Sequence, residues 1–210
     1  IVDMGVTFAD DSIPGVDLIY PDPGFILDKK DDLLGIVLTH AHEDHIGAVA
    51  HIWPSLKCKM YATPFTAALI HEKFKEKKID ISSYLKIVPL NSKIKLGAFE
   101  IDFVTLTHSI LEPNGLSIKT PLGTILHTGD WKIDPNPLIG GAIDEEKLKA
   151  IGDKGVAAMI CDSTNIFSPG RAGSKSDVRD SLLKIMEIKT KRILVTSFAS
   201  NVARMESIFY

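Results

Sequence analysis

The sequence predicts an α/β or α+β protein in which sheets and helices form a layered sandwich. Short apolar runs bounded by glycine or proline alternate with segments whose apolar residues recur at helical spacing. Some runs are continuous, as in strands buried on both faces, and others alternate with polar residues, as in hairpin strands. Polar clusters follow several predicted strands. Layered sheets commonly carry active sites at strand ends, so we expect a functional site there.

The composition is that of a cored protein with no strong charge bias. The chain has 210 residues, of which 45% are apolar and 24% charged, and a net charge of −3. The charge argues only weakly against a polyanionic substrate, because a local patch or a metal site can still bind phosphate. Cys58 and Cys161 lie in apolar runs, which predicts buried, reduced thiols in a cytoplasmic protein. No apolar run approaches the roughly 18 residues of a membrane span.

The first half of the chain contains most of the predicted strands. The run at 99–107 alternates with period two and follows a Gly-Ala turn, which indicates a hairpin with 93–96. One helix is expected to stop near Pro54, and Pro64 is expected to open another. The predicted strands are 1–3, 35–39, 59–62, 84–90, 93–96 and 99–107, and the predicted helices are 46–52 and 65–77.

The second half continues with a hairpin and then alternating helices and strands. Its strongest linker candidate is the loop at 168–173, which is rich in glycine, serine and proline. Neither end of the chain looks like a natural boundary, so we expect a fragment of a longer protein. The predicted strands are 116–119, 123–127, 156–161 (buried) and 193–196, and the predicted helices are 144–151, 176–188 and 201–210.

A dense cluster of potential metal ligands follows the strand at 35–39. His40, His42, Asp44 and His45 fall within six residues. A buried imidazole or carboxylate needs a polar partner, and one metal ion can satisfy several at once. Zinc accepts both ligand types, and a hydrolytic site keeps one position open for water. The simpler alternative is a solvated loop, but the spacing and the strand-then-loop context favour a metal site.

Two later strand ends carry further ligand candidates, His108 and Asp130. Alone, His108 could be an ordinary hydrogen-bonded histidine and Asp130 a cap, but the metal loop favours both as ligands. Counting ligands then predicts two ions, whose shared water would have a lowered pKa and be oriented by Asp44. The first ion would be held by His40, His42 and His108, and the second by Asp44, His45 and Asp130, with Asp130 bridging both.

Four other side chains near these motifs are not assigned as ligands. Glu43 lies between ligands but is expected to point outward. His51 and His71 lie on predicted helices, which indicates surface or packing roles. His127 is two residues before Thr-Gly-Asp and is expected to neighbour the site without binding metal.

Together these blocks resemble the metallo-β-lactamase fold of dinuclear zinc hydrolases and, within it, the ribonuclease J branch of the β-CASP ribonucleases. The matching blocks are 38–47 (LTHAHEDHIG), 107–110 (THSI), 127–134 (HTGDWKID), 162–165 (DSTN) and 197–201 (SFASN). The resemblance implies an α/β fold, a metallo-β-lactamase αββα sandwich. It would place this domain at 1–174 and the start of a β-CASP domain at 175–210.

The resemblance also implies roles for individual residues. Asp3 would brace the metal loop without binding metal, and Asp162 would support proton transfer to the leaving group. Ser197 and Ser200 are the candidates for substrate contacts. The implied cofactors are two divalent ions, with zinc expected and manganese as the alternative. The implied activity is metal-dependent cleavage of RNA, internally and from a 5′-monophosphate end, by a cytoplasmic protein that is a homo-oligomer at full length and has no membrane partner.

The resemblance leaves alternatives open. Ribonuclease J supplies two further histidines from later in its chain, so we expect this stretch alone to bind metal unevenly and to have little activity. Other hydrolases share the fold, including thioester hydrolases, lactonases, β-lactamases and transfer-RNA 3′-processing nucleases. A non-catalytic RNA-binding scaffold is a further alternative, and its role would survive replacement of His42 and Asp44 by alanine.

Overall fold

The computed structural model describes residues 1–210 and divides the chain into two compact units, Ile1–Asp102 and Phe103–Tyr210. The division falls inside a strand, so each unit contains part of that strand. The boundary predicted at residue 174 lies within the second unit and stays a prediction.

The first unit is built around a parallel sheet of three short strands in the order β3, β4, β5. Two helices, α3 and α4, cross between these strands, as parallel pairing requires. A second pair, β1 and β2, and a hairpin of β6 and β7 are antiparallel. The bounds are β1 Thr7–Phe8, β2 Leu18–Ile19, α1 Gly24–Leu27, β3 Ile36–Val37, α2 Glu43–Ile46, α3 Val49–Leu56, β4 Met60–Ala62, α4 Pro64–Glu76, β5 Leu85–Ile87, β6 Lys93–Leu96 and β7 Phe99–Thr105.

Aromatic packing fixes the two crossover helices of the first unit. The Trp53 ring meets Phe74 and Tyr84 edge to face, with centroids 5.2 and 5.0 Å apart. The indole N–H donates to the Cys58 carbonyl at 2.7 Å, so this buried ring has a hydrogen-bond partner. The largest fully buried side chains of this unit are Ile36, Val37, Leu38, His40, Ile46, Val49, Met60, Ile70, Phe74 and Ile81.

The second unit contains the end of β7 followed by β8, β9 and β10, in that order across the sheet. β8 and β9 form an antiparallel hairpin in the register Leu116 to His127, and β10 runs parallel to β9. The helix α6 has a capping box, in which Ser174 and Asp177 satisfy its first amides. The bounds are β8 Asn114–Thr120, β9 Gly123–His127, α5 Glu145–Asp153, β10 Ala158–Ile160, α6 Lys175–Glu187 and α7 Val202–Phe209.

Four local expectations are corrected by the structure. Residues 193–196 form no strand, because no strand of the second unit pairs with this apolar run. The strand predicted as buried at 156–161 is the exposed edge strand β10. The helix predicted at 46–52 continues through Pro54 to Leu56 and stops where Lys57 adopts a left-handed conformation. Both cysteines are half-buried, not buried, and neither forms a disulfide. No helix is long and apolar enough to cross a membrane.

Candidate metal centre

The metal loop is attached to the N-terminal segment by backbone hydrogen bonds. It leaves β3 through buried residues, and α2 begins directly after His42. The Met4 amide donates to the His45 carbonyl at 2.7 Å, and the Val6 amide donates to the Glu43 carbonyl at 3.0 Å. The residues that carry the candidate ligands are therefore positioned by a segment about forty residues earlier in the chain.

One carboxylate, that of Asp3, accepts hydrogen bonds from both ends of the loop. Its Oδ1 accepts from the Thr39 amide, and its Oδ2 accepts from the Thr39 hydroxyl, each at 2.8 Å. The same Oδ2 accepts from His45 Nδ1 at 2.7 Å. Because His45 Nδ1 donates, its Nε2 carries a lone pair suitable for a metal. A bracing role for Asp3 would act through these hydrogen bonds, and that role stays a prediction.

The Thr39 hydroxyl fixes the tautomer of a second histidine, His40. It donates its proton to Asp3, so toward His40 Nδ1, 3.0 Å away, it acts as an acceptor. His40 Nε2 therefore carries a lone pair, and it lies 3.1 Å from His42 Nδ1. Two nitrogens bound to one zinc ion at tetrahedral angles would lie about 3.3 Å apart, given Zn–N bonds of about 2.0–2.1 Å. The donor pair of His40 and His42 fits a divalent metal.

Asp44 and His45 form a second donor pair in the first unit. His45 Nε2 lies 3.7 Å from Asp44 Oδ2, a separation that one shared ion can bridge. The His45 side chain is mostly buried, whereas that of Asp44 is 65% exposed. Asp44 thus offers an open carboxylate beside a fixed imidazole.

Glu43 points away from these ligands, as expected, and has a partner of its own. Lys73 Nζ on α4 donates to both of its carboxylate oxygens, at 2.6 and 2.7 Å. This two-oxygen ion pair connects α2 to α4 and orients the residue between the two donor pairs. Sequence patterns do not indicate Lys73, because a lysine near a helix C-terminus is common on surfaces.

In the second unit, His108 and Asp130 form a third donor pair. His108 Nε2 lies 3.5 Å from Asp130 Oδ2. The segments that carry them are joined by an isolated bridge between Thr107 and Lys132, and the Lys132 amide donates to the Thr107 carbonyl at 2.9 Å. The Thr107 hydroxyl also donates to the Lys132 carbonyl. These bonds hold the two strand ends side by side.

Asp162 follows β10 and is held by its own neighbours. Its amide donates to the Thr128 hydroxyl at 3.1 Å, and its Oδ1 accepts from the Thr164 amide and hydroxyl at 2.9 and 2.6 Å. Oδ1 is therefore committed to the turn, and Oδ2 is the oxygen that can exchange a proton with another group. The side chain lines a cavity of about 1000 Å³, as His108 does.

The other histidines and serines named from the sequence belong to none of the three donor pairs. The His51 ring stacks on Tyr20, and His71 is exposed beside Glu72. His127 Nδ1 accepts from the Gly129 amide at 3.1 Å, which orients the turn that leads to Asp130. Ser197 and Ser200 are exposed and do not line the cavity, so their role as substrate contacts stays a prediction.

Replacing Asp3 by asparagine is expected to lower the affinity for divalent metal by about 10–100-fold. The amide would present a donor where Asp3 Oδ2 accepts from both Thr39 and His45, so the His45 ring would lose its fixed tautomer. Competition with a chromophoric chelator measures the affinity. Asp10→Asn is the matched control, because Asp10 is exposed and bonds only within its own turn. Equal affinities in the two variants would contradict the bracing role.

Comparison with known families identifies the superfamily of this chain. A family model described as a beta-lactamase superfamily domain matches residues 14–151, well over half of the chain. The chain belongs to the beta-lactamase superfamily. The predicted fold class, α/β with the metallo-β-lactamase fold, is therefore confirmed.

Within the superfamily, this chain is similar to proteins named ribonuclease J, so the predicted resemblance is confirmed. It is 43% identical to ribonuclease J of Sinorhizobium meliloti over 99% of its length, and 42% identical to that of Corynebacterium glutamicum over 99%. It covers 37% and 29% of those proteins, about a third of the length of the curated relatives it matches. A solved structure of a protein of unknown function from Enterococcus faecalis V583 has the same fold, with a TM-score of 0.62 and 19% identity, covering 99% of this chain and 57% of that one.

Proposed function

We propose that this chain is the metal-binding part of a ribonuclease of the ribonuclease J type, which cuts RNA internally and trims it from a 5′-monophosphate end. The observation that carries the proposal is the 43% identity to a protein named ribonuclease J across 99% of the chain. The motif at 38–47 adds independent chemical support, because its donor pairs suit metal-dependent hydrolysis.

The proposed metal ligands come from the three donor pairs. His40, His42 and His108 would hold one divalent ion, and Asp44 and His45 the other, with Asp130 bridging both. Zinc is the proposed metal because the set combines neutral imidazole and carboxylate, and manganese is the alternative that such ligands also accept. The tautomers imposed through Asp3 support this assignment for His40 and His45, since each presents a lone pair.

The chain's own residues then have separate tasks in the hydrolysis. When bound, the ions supply a water of lowered pKa and neutralise charge on the phosphate. Asp44, whose carboxylate is exposed, would accept a hydrogen bond from the attacking water and orient it. Asp162 would support proton transfer to the leaving oxygen through Oδ2, because its Oδ1 accepts hydrogen bonds from Thr164.

The test uses the full-length protein and RNA that carries either a 5′-monophosphate or a 5′-triphosphate. We expect cleavage to disappear on treatment with a chelator and to return with zinc or manganese. We also expect trimming from the 5′ end to be faster on the monophosphate. Thioester and lactone substrates run in parallel as controls. Hydrolysis of these without RNA cleavage, or RNA binding without cleavage by the metal-loaded protein, would contradict the proposal.

A further inference from the structure

We propose that the cavity of the second unit binds a backbone phosphate of single-stranded RNA through Lys132, Arg171 and Lys175, with the adjoining base stacked on Trp131. The inference rests on the proposed function and adds the site through which the strand would be held. All four side chains line the same cavity, of about 1000 Å³, together with His108 and Asp162. A strand bound there would run beside the groups proposed to react.

Three cations, Lys132, Arg171 and Lys175, line the cavity with two carboxylates, Asp162 and Asp177. Desolvation by burial lowers the pKa of the Lys175 ammonium, and repulsion from Lys132 and Arg204 lowers it further. The attraction of Asp134 is the smallest of the causes. Cations that repel one another in a partly buried place would be stabilised by a bound anion such as a phosphate.

The carboxylates of the lining are committed to local hydrogen bonds. Asp177 Oδ2 accepts from the Ser174 amide at 2.9 Å as part of the capping box. Asp162 Oδ1 accepts from the Thr164 amide and hydroxyl. Neither carboxylate forms an ion pair with Arg171 or Lys175. Arg171 and Lys175 therefore keep their capacity to bind a phosphate.

Buried hydrogen bonds hold the wall of the cavity at Lys175 in place. The buried carboxylate of Asp134 accepts from the Ser174 hydroxyl at 2.6 Å and from the Lys175 amide at 2.9 Å. Burial raises the pKa of Asp134, but these bonds, the Asn136 amide and the charge of Lys132 together lower it below its usual value. Lys132 Nζ donates to the Gly173 carbonyl. Because the lysine backbones are fixed, little ordering would be needed when a phosphate binds.

The aromatic side chain beside the cations favours a single-stranded nucleic acid over other anions. Trp131 and Ile133 also line the cavity, and they are 38% and 56% exposed. Every base has a face that can stack on an indole, and proteins that bind single strands combine such rings with cationic grooves. A carboxylate ligand would use the cations but not the ring.

The test measures binding of a short fluorescent 2′-O-methyl oligoribonucleotide, which resists cleavage, at several salt concentrations. Arg171→Gln with Lys175→Gln is expected to weaken binding by about tenfold and to reduce the slope of log K against log salt by about 0.7 for each lost phosphate contact. Trp131→Leu is expected to weaken binding by about tenfold with the slope unchanged. Lys154→Gln with Lys189→Gln is the matched control, since both lysines are exposed and outside the cavity.

Variants that bind with the affinity and slope of the control would overturn the inference. Displacement of the RNA by an oligoglutamate peptide as readily as by unlabelled RNA would also overturn it, because it would indicate general attraction of anions. If either result accompanies metal-dependent RNA cleavage by the unaltered protein, the proposed function stands and only this site is wrong. If the unaltered protein neither binds nor cleaves RNA, both fail. Thermal melting checks that each variant is folded.

Discussion

Replacing His42 by alanine is expected to reduce RNA cleavage by the full-length protein by at least about a hundredfold. His42 Nδ1 lies 3.1 Å from His40 Nε2, so its loss removes one of the two nitrogens of a donor pair. A bound metal contributes several kcal/mol to the stability of the transition state, and each 1.36 kcal/mol is about tenfold in rate. Cleavage of 5′-labelled RNA under single-turnover conditions measures the effect.

The control for this variant is His71→Ala. His71 is an exposed histidine on α4, so its loss removes an imidazole without touching a donor pair. It should retain both metal content and cleavage. Metal analysis of His42→Ala should show fewer ions per chain than the control. If His42→Ala cleaves RNA at the normal rate, the chain is not a metal-dependent ribonuclease of the proposed kind, and a binding-only role is favoured instead.

Replacing Gly5 by alanine is expected to destabilise the first unit by about 1–3 kcal/mol and to displace the metal loop. A Cβ at this position would lie 1.7 Å from the Asp44 carbonyl oxygen, which is a backbone atom and not the movable end of a side chain. Either the N-terminal segment or the backbone of Asp44 must therefore move. Chemical denaturation gives the stability, and chelator competition gives the metal affinity.

Gly152→Ala is the matched control for Gly5→Ala. Gly152 lies in α5, and a Cβ there would meet no atom within 4 Å. Alanine should stabilise this helix by about 0.5–1 kcal/mol, because glycine loses more backbone freedom on folding. Normal metal affinity in Gly5→Ala would mean that the loop accommodates the methyl group without moving Asp44.

The candidate ligands of the metal loop could be predicted from the sequence because so dense a group of polar side chains rarely suits a packed core. Three imidazoles and a carboxylate within six residues would each need a partner if buried, so their composition, spacing and position after a strand predict a metal site. The hairpin of β8 and β9 was equally predictable, since its strands alternate around a short turn. A segment forms a strand in a sheet only if a second segment pairs with it. The run at 193–196 therefore has strand composition but no partner strand.

Other parts of the site depend on contacts between distant residues. Thr39 sets the tautomer of His40, yet a threonine in a buried strand is common for its β-branched shape alone. Lys73 holds Glu43 from a helix thirty residues away. The cations of the cavity come from two segments about forty residues apart, and their mutual repulsion exists only after the segments have folded together.

The carboxylate of Asp3 couples the affinity for metal to the order of the N-terminal segment. A fluctuation that lifts this segment removes the acceptor for His45 Nδ1 and for the Thr39 hydroxyl together. The imidazoles of His40 and His45 can then change tautomer, and the nitrogens that would bind metal can become protonated. Any ion that binds the folded loop more tightly than the open one must therefore hold the first residues of the chain in place.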